Sequence, residues 1–287
     1  MTRTTRTPVL AVLASISLAF AGLGCDANQR ARNDFSKDAA RDVVLAATPS
    51  PARVVAETPN GSIELASVDG LAEVRVTVAL RVDGESPEEA EQRLALVRIF
   101  AERSDDGTIV VQPIFPGKRM PRDSADLRIE VPRAGDANLR TDNGTIATRR
   151  TEGTLRATTK NGAVKVDGHR GSVDASTQNG AVDLRGIAGI VRARSANGAI
   201  DVTVADGDSS EVDAGSRNGS VRVEVGAGYS GVFQMLGAPG AVLIVDPLGR
   251  AKARGEDTAR IVEVGSGGPS SRIDAGNGAA TLVIRAK

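Results

Sequence analysis

The stretch Asn161-Gly162-Ala163-Val164-Lys165-Val166-Asp167-Gly168-His169-Arg170-Gly171-Ser172-Val173-Asp174-Ala175-Ser176-Thr177-Gln178 is followed at once by Asn179-Gly180-Ala181-Val182, and the pattern starts again. Seven of the ten asparagines in the chain precede glycine: Asn60, Asn143, Asn161, Asn179, Asn197, Asn218 and Asn277. From Asn143 to Asn197 they are 18 residues apart, and Asn218 follows after 21. A fixed period of this size means stacked units. Counting each asparagine as place one, place four holds Ile146, Val164, Val182 and Ile200, and place eleven holds Gly153, Gly171 and Gly189. Place thirteen holds Leu155, Val173 and Val191, and place fifteen holds Ala157, Ala175 and Ala193. The last unit carries three extra residues, so Val212 and Ala214 take its later apolar places.

Within a unit, apolar and polar residues alternate, as in Val164-Lys165-Val166 and Val173-Asp174-Ala175, which is the period of a strand with one buried face. Each unit is expected to hold two short strands. The pairs Asn143-Gly144, Asn161-Gly162, Asn179-Gly180, Asn197-Gly198 and Asn218-Gly219 read as structural turns at one corner, and glycine-rich bends such as Asp167 to Gly171 read as the other. Glycine there is expected to supply positive backbone dihedrals. A meander of hairpins would use Asn-Gly as type I′ turns, whereas a β-solenoid would use each unit as a rung stacked about 4.8 Å from the next. Only the solenoid gains from holding asparagine in register, because stacked amides hydrogen-bond in a ladder. The reading is therefore an all-β solenoid of 18-residue rungs over 139–225, thin because place fifteen is alanine.

Composition agrees with such a core. There are 32 glycines, one tyrosine, five phenylalanines and no tryptophan, so small and β-branched side chains must fill the interior. One cysteine excludes a disulfide framework and a multi-cysteine metal site, and one histidine, His169, excludes histidine pairs. The 36 basic and 36 acidic residues cancel, which gives no reason to expect nucleic acid as a partner.

Residues 1–25 read as an address. Arg3 and Arg6 precede an uncharged, mostly apolar run from Pro8 to Gly24 that is too short to span a bilayer, the layout of a secretory signal peptide. Ala19-Phe20-Ala21 suits an ordinary signal peptidase, while Ala21-Gly22-Leu23-Gly24-Cys25 resembles a bacterial lipobox with Gly22 in place of the usual leucine. The second reading makes Cys25 a lipidation site and the membrane a partner through that anchor. Residues 26–51, ending in Thr48-Pro49-Ser50-Pro51, read as a flexible tether, with at most a turn or two of helix between Phe35 and Ala47.

Residues 52–138 read as an N-terminal cap. Strands are expected at Arg53 to Leu65, Ala72 to Val82, Thr108 to Ile114 and Asp126 to Val131, and an amphipathic helix at Pro87 to Phe100. Ser86 is placed as its N-cap, Pro87 in its first turn, and Glu88 and Glu89 against its dipole. Residues 226–287 read as irregular rungs and a cap, with strands at Val232 to Val245, Ala259 to Val264 and Thr281 to Ala286.

The motif Asn60-Gly61-Ser62-Ile63-Glu64-Leu65, the acidic helix after Ser86, the strand Leu127-Arg128-Ile129-Glu130-Val131-Pro132 and the Asn-Gly-x-Val rungs resemble bacterial β-strand-repeat proteins of the DUF4097 type, grouped as candidate adhesins. The resemblance covers about Ala52 to Lys287. It implies a single-stranded, right-handed β-helix-like solenoid in the cell envelope, and it supplies no catalytic motif.

Enzymatic β-helices cluster carboxylates on neighbouring rungs, and Asp167, Asp174, Asp183 and Asp201 could approach one another. Lys165, Arg156 and Arg192 interrupt that set, and 139–225 contain no aromatic side chain to serve as a sugar platform. Asp69, Asp167 and Asp206 precede glycine, but the calcium-binding nonapeptide is absent, so turn chemistry is the better account. His169 is expected at a solvent-exposed corner, Tyr229 and Phe233 in the core or cap. The basic run Lys118-Arg119-Met120-Pro121-Arg122 lies in a proline-bounded loop that reads as solvated, with anionic lipid or polysaccharide as the sharper alternative. No catalytic, cofactor-binding or metal-binding residue is assigned. The expectation is a non-enzymatic, exported, lipid-anchored envelope protein, an adhesin or scaffold with an unnamed protein or polysaccharide partner. An envelope sensory or partner-binding module is the first alternative and a carbohydrate-active β-helix enzyme the second.

Overall fold

The computed structural model describes residues 35–46 and 51–286. The signal-like segment and Cys25 lie outside the described residues. In chain order the elements are β1 (Ser36–Ala46), β2 (Ala52–Asn60), β3 (Ile63–Ser67), β4 (Glu73–Asp83), α1 (Pro87–Leu96), β5 (Arg98–Arg103), β6 (Ile109–Ile114), β7 (Ser124–Val131), β8 (Ala134–Asn143), β9 (Ile146–Asn161) and β10 (Val164–Thr177). They continue with β11 (Val182–Ala188), β12 (Val191–Ser195), β13 (Ile200–Val204), β14 (Val212–Ser216), β15 (Val221–Val225), β16 (Gly231–Leu236), β17 (Val242–Val245), β18 (Ala251–Glu256), β19 (Ala259–Val264), β20 (Ser270–Asp274) and β21 (Ala280–Ile284).

The strands build a two-faced solenoid. The first face runs β1-β4-β7-β3-β9-β10-β11-β13-β15-β21-β17. The second runs β5-β6-β2-β8-β9-β10-β12-β14-β20-β16-β19-β18. Strands β9 and β10 serve both faces because each passes through the mid-rung bend without interruption, where two short strands per unit were expected. Pairing between rungs is parallel and keeps the period: Val164 lies between Ile146 and Val182, and Val173 between Leu155 and Val191.

Between the faces lies one thin core of Val, Ile, Leu and Ala, in which Ile146, Val164, Val182 and Ile200 are all fully buried. Ala157, Ala175 and Ala193 are buried opposite them, so the second face packs close. Tyr229 and Phe233 are buried near the C-terminal end, their ring centroids 5.4 Å apart.

Several expectations are corrected. Residues 36–46, placed in the tether, form β1, paired antiparallel along β4. The segment alternates with period two: Ala39, Arg41, Val43 and Leu45 face inward while Ala40, Asp42 and Val44 face out, a pattern that a loose apolar cluster disguises as helix. Helix α1 has the expected Ser86 cap, whose hydroxyl accepts the Glu89 N–H, but it stops at Leu96. Val97 is already extended, and the β-branched and aromatic residues after it join β5 against β6. The span Val232 to Val245 divides into β16 on the second face and β17 on the first.

The solenoid also reaches further than 139–225. Strands β2 and β3 are themselves a rung, with Asn60 in register with Asn143. At the other end β20 and β21 form a rung on β14 and β15. The segment from β4 to β7 is an excursion between the first rung and the second, and β16 to β19 an excursion before the last.

Candidate functional surface

The asparagines form one continuous column. Each Nδ2 donates to the Oδ1 of the rung before it: Asn143 to Asn60 at 2.6 Å, Asn161 to Asn143 at 2.8 Å, Asn179 to Asn161 at 2.8 Å, Asn197 to Asn179 at 2.7 Å, Asn218 to Asn197 at 2.8 Å and Asn277 to Asn218 at 2.9 Å. At the N-terminal end Asn60 donates to the Asp123 carbonyl at 3.0 Å. All seven amides point the same way, an arrangement in which each bond polarises the next.

Glycine follows for a reason other than the expected one. Among the central turns, Gly144 has a positive φ of 159°, at the extended edge of that region, and Gly162, Gly180, Gly198 and Gly219 have none. What they share is proximity: a Cβ at Gly162, Gly180, Gly198 or Gly219 would lie 1.8–2.2 Å from the carbonyl oxygen of the glycine on the preceding rung. The column is closed to any side chain. A second column, Gly153, Gly171 and Gly189, has positive φ throughout; a Cβ at Gly171 or Gly189 would lie 2.1 Å from the carbonyl oxygen of the glycine on the preceding rung, and one at Gly153 2.5 Å from an Asp136 carboxylate oxygen.

A third column was missed from sequence although its signal was present, a threonine or serine two residues before every asparagine of the column except Asn277, which has Ala275 there. The hydroxyls of Thr141, Thr159, Thr177, Ser195 and Ser216 donate to the carbonyls of Gly61, Gly144, Gly162, Gly180 and Gly198 at 2.8–3.0 Å. These side chains are buried, so each satisfies a carbonyl that water cannot reach.

Outside, one column on each face carries charge of alternating sign. On the first face Arg149, Asp167 and Arg185 stand in register. On the second, Arg156, Asp174, Arg192, Asp213 and Arg272 follow one another. Arg194 pairs with Asp213, and Arg272 with Asp274 at 2.6 Å.

The four aspartates considered as a catalytic set are therefore divided. Asp174 is on the second face; Asp167, Asp183 and Asp201 are on the first. Asp183 and Asp201 are register neighbours, and Asp183 accepts from Nε and Nη2 of Arg185 at 2.9 and 2.7 Å. Partial burial, then the Asp183 charge, raises the Asp201 carboxyl above its ordinary value. A shallow depression of about 190 Å³ lies over Arg149, Lys165, Asp167, Asp183 and Arg185. Among the described residues no group of three or more His, Cys, Asp or Glu could hold a metal ion.

His169 corrects its expectation. It is 1% exposed, with Nδ1 2.9 Å from the Thr151 hydroxyl and Nε2 3.1 Å from the Gly153 carbonyl. The carbonyl requires an Nε2 proton, so the ring accepts from Thr151 at Nδ1. Burial holds its pKa below the ordinary 6.5.

The basic loop lies at the N-terminal end. Arg93 of α1 reaches the Asp123 carboxylate at 2.7 Å and the Lys118 carbonyl at 3.2 Å, and Asp123 also accepts the Met120 N–H at 2.8 Å. This buried pair closes the loop onto α1. A cleft of about 600 Å³ remains between Glu85, Glu89 and residues 116–121. Lys118 and Arg119 are exposed along it, opposite those two carboxylates.

No family model matches the chain, and no curated protein does. The DUF4097 resemblance thus stands on its residues alone. Among solved structures the chain is similar to a putative adhesin from Bacteroides fragilis, at 12% identity and TM-score 0.41, covering 87% of this chain and 97% of that one. It is also similar to a putative cell adhesion protein from Clostridium sporogenes, at 12% identity and TM-score 0.28, covering 86% and 100%. A putative adhesin from Parabacteroides distasonis matches at 11% identity and TM-score 0.30, covering 87% and 97%. No function is carried over from them. No helix of the described residues is long and apolar enough to cross a membrane.

Proposed function

We propose that this chain is an exported envelope protein, anchored through a lipid on Cys25, that works without catalysis as an adhesin or scaffold. The observation that carries this reading is the stack of in-register rungs with outward columns of alternating charge. It presents the same kind of shallow polar contact many times at about 4.8 Å intervals. Weak contacts repeated in this way gain strength by avidity and need no deep pocket. The absence of catalysis is part of the proposal; the bidentate hold of Arg185 on Asp183 supports it, because that carboxylate is occupied.

The anchor is tested by mass spectrometry of the mature N-terminus, where an acylated Cys25 supports the reading and cleavage after Ala21 removes it. The role is tested by whole-cell adhesion with and without the gene, beside envelope pull-downs. Adhesion lost on deletion supports the adhesin; unchanged adhesion with one stoichiometric partner captured favours a partner-binding module. The cleft between α1 and the Lys118 loop is the observation that keeps this second reading in view.

A further inference from the structure

The alternating columns differ in how their charges are engaged. On the second face Arg156, Asp174 and Arg192 follow one another on successive rungs, and none of the three makes an ion pair among the described residues. Further along the same column the charges are held sideways, Asp213 by Arg194 and Arg272 by Asp274. In the first-face column of Arg149, Asp167 and Arg185, the last is held by Asp183. The stretch from Arg156 to Arg192 therefore leaves three successive charges open, positive, negative and positive.

Beside these charges runs a column of small hydroxyls. The Ser176 hydroxyl donates to that of Thr158 at 3.2 Å, and a shallow depression of about 250 Å³ lies over the two. Asp142, Lys160 and Gln178 wall its far side. Arg140, in register with Thr158, stands at one end, and Arg194, in register with Ser176, at the other. Lys160 is paired with Asp142 at 3.0 Å and Arg140 with Glu57 at 3.6 Å, so the open guanidinium groups beside the groove are those of Arg156 and Arg192, both exposed, with Asp174 half-buried between them.

We propose that this groove binds a linear acidic polysaccharide laid along the solenoid axis, one with a carboxylate on every second sugar. The argument is a match of period. Arg156 and Arg192 are two rungs apart, about 9.6 Å along the axis, comparable to an extended disaccharide. Each guanidinium is a planar fork that takes a carboxylate through two hydrogen bonds. Asp174 between them repels a carboxylate but accepts from the hydroxyls of a neutral sugar. A chain charged on every sugar sets one carboxylate against Asp174, and an uncharged chain leaves both arginines unused. Thr158, Ser176 and Gln178 supply donors and acceptors for the remaining sugar hydroxyls. Binding of this kind rests on charge and hydrogen bonds and not on ring stacking, so the rungs do not need the aromatic platform they lack. An open polar groove binds weakly, with a Kd of about 0.1–1 mM, and chains arrayed on a surface gain by avidity.

This names a partner class for the adhesive surface and rests on that reading for its setting, but its test uses the purified chain. Full-length protein carrying Cys25→Ser is titrated by calorimetry with three octasaccharides: hyaluronan, with a carboxylate on alternate sugars; oligogalacturonate, with one on every sugar; and the hyaluronan octamer with its carboxyls reduced to alcohols. The hyaluronan octamer should bind at least about fivefold more tightly than either of the others. Arg156→Gln and Arg192→Gln should each weaken it at least about threefold, while Arg149→Gln on the first face leaves it unchanged. Circular dichroism and melting of all three variants should match the parent. Asp174→Asn should tighten oligogalacturonate binding, a gain that a merely structural role for Asp174 does not produce. No hyaluronan binding at about 5 mM, tighter binding of either other octamer by the parent, or equal losses from Arg149→Gln and Arg156→Gln would overturn the proposal. Cell adhesion unchanged on deleting the gene, while the purified chain binds in the expected pattern, would count against the adhesive role alone.

Discussion

At the residue scale, the decisive property of the repeat is the space between rungs. Gly180 lacks a positive φ, yet its missing Cβ would lie 1.8 Å from the Gly162 oxygen; Gly168 has φ +68° and nothing within 4 Å. The two glycines separate crowding from backbone strain. Gly168→Ala should cost about 1 kcal/mol, the ordinary penalty of a left-handed alanine, while Gly180→Ala must push two rungs apart and should cost more than about 3 kcal/mol. Urea midpoints followed by circular dichroism will rank them. The sequence marks both sites as glycine but cannot tell the reasons apart, since crowding involves a residue 18 positions away. His169 was misread for a related cause: Thr151 and Gly153, its partners, sit on the previous rung. Because burial lowers its folded pKa, only the unfolded chain takes up a proton just below pH 6.5. Stability should fall with acidification from there, by up to about 1.4 kcal/mol per pH unit until the folded ring also titrates. His169→Gln should flatten that part of the profile, measured by urea unfolding between pH 7.5 and 5.

At the scale of elements, columns replace single contacts as the unit of stabilisation. Asn179 both donates to Asn161 and accepts from Asn197, whereas Asn277 donates only, to Asn218. Asn179→Ala should therefore cost about 1–2 kcal/mol and Asn277→Ala about half as much, both being exposed and partly rescued by water. Thr177→Val is the harsher change in a smaller volume, because the Gly162 carbonyl at 2.9 Å loses its donor inside the protein; about 1–3 kcal/mol is expected. Thermal unfolding of the three variants checks the order. The rung pattern was legible because its period is local and strict. The first and last rungs were harder to see, since Asn60 meets Asn143 across the β4 to β7 excursion and Asn277 meets Asn218 across β16 to β19. Strand β1 was hidden for another reason: the runs Ala39-Ala40 and Val43 to Ala46 mask its alternation, and only the open edge of β4 selects an extended partner.

At the scale of the whole molecule, a solenoid behaves as a nearly one-dimensional stack whose stability sums over rungs and the interfaces between them. Removing a complete rung, 161–178, should leave a folded protein with Asn179 placed on Asn143 and a body shorter by about 4.8 Å. The outer charges make a sharper distinction. In the intact chain Asp167 separates Arg149 from Arg185, and Asp174 separates Arg156 from Arg192. Deleting one rung sets arginine beside arginine in both columns; deleting two, 161–196, sets Arg149 beside Thr203 and Arg156 beside Asp213. The one-rung variant should thus recover stability when salt is raised from 0.05 to 0.5 M, because exposed like charges are screened, by about 0.5–1 kcal/mol. The two-rung variant should show no such recovery beyond that of the parent. Small-angle scattering gives the lengths and urea titration at two salt concentrations gives the stabilities. Adhesion measured on the same variants ties the stack to its role: contact spread along the rungs predicts a graded loss from one deletion to two, and contact confined to one end of the stack predicts none.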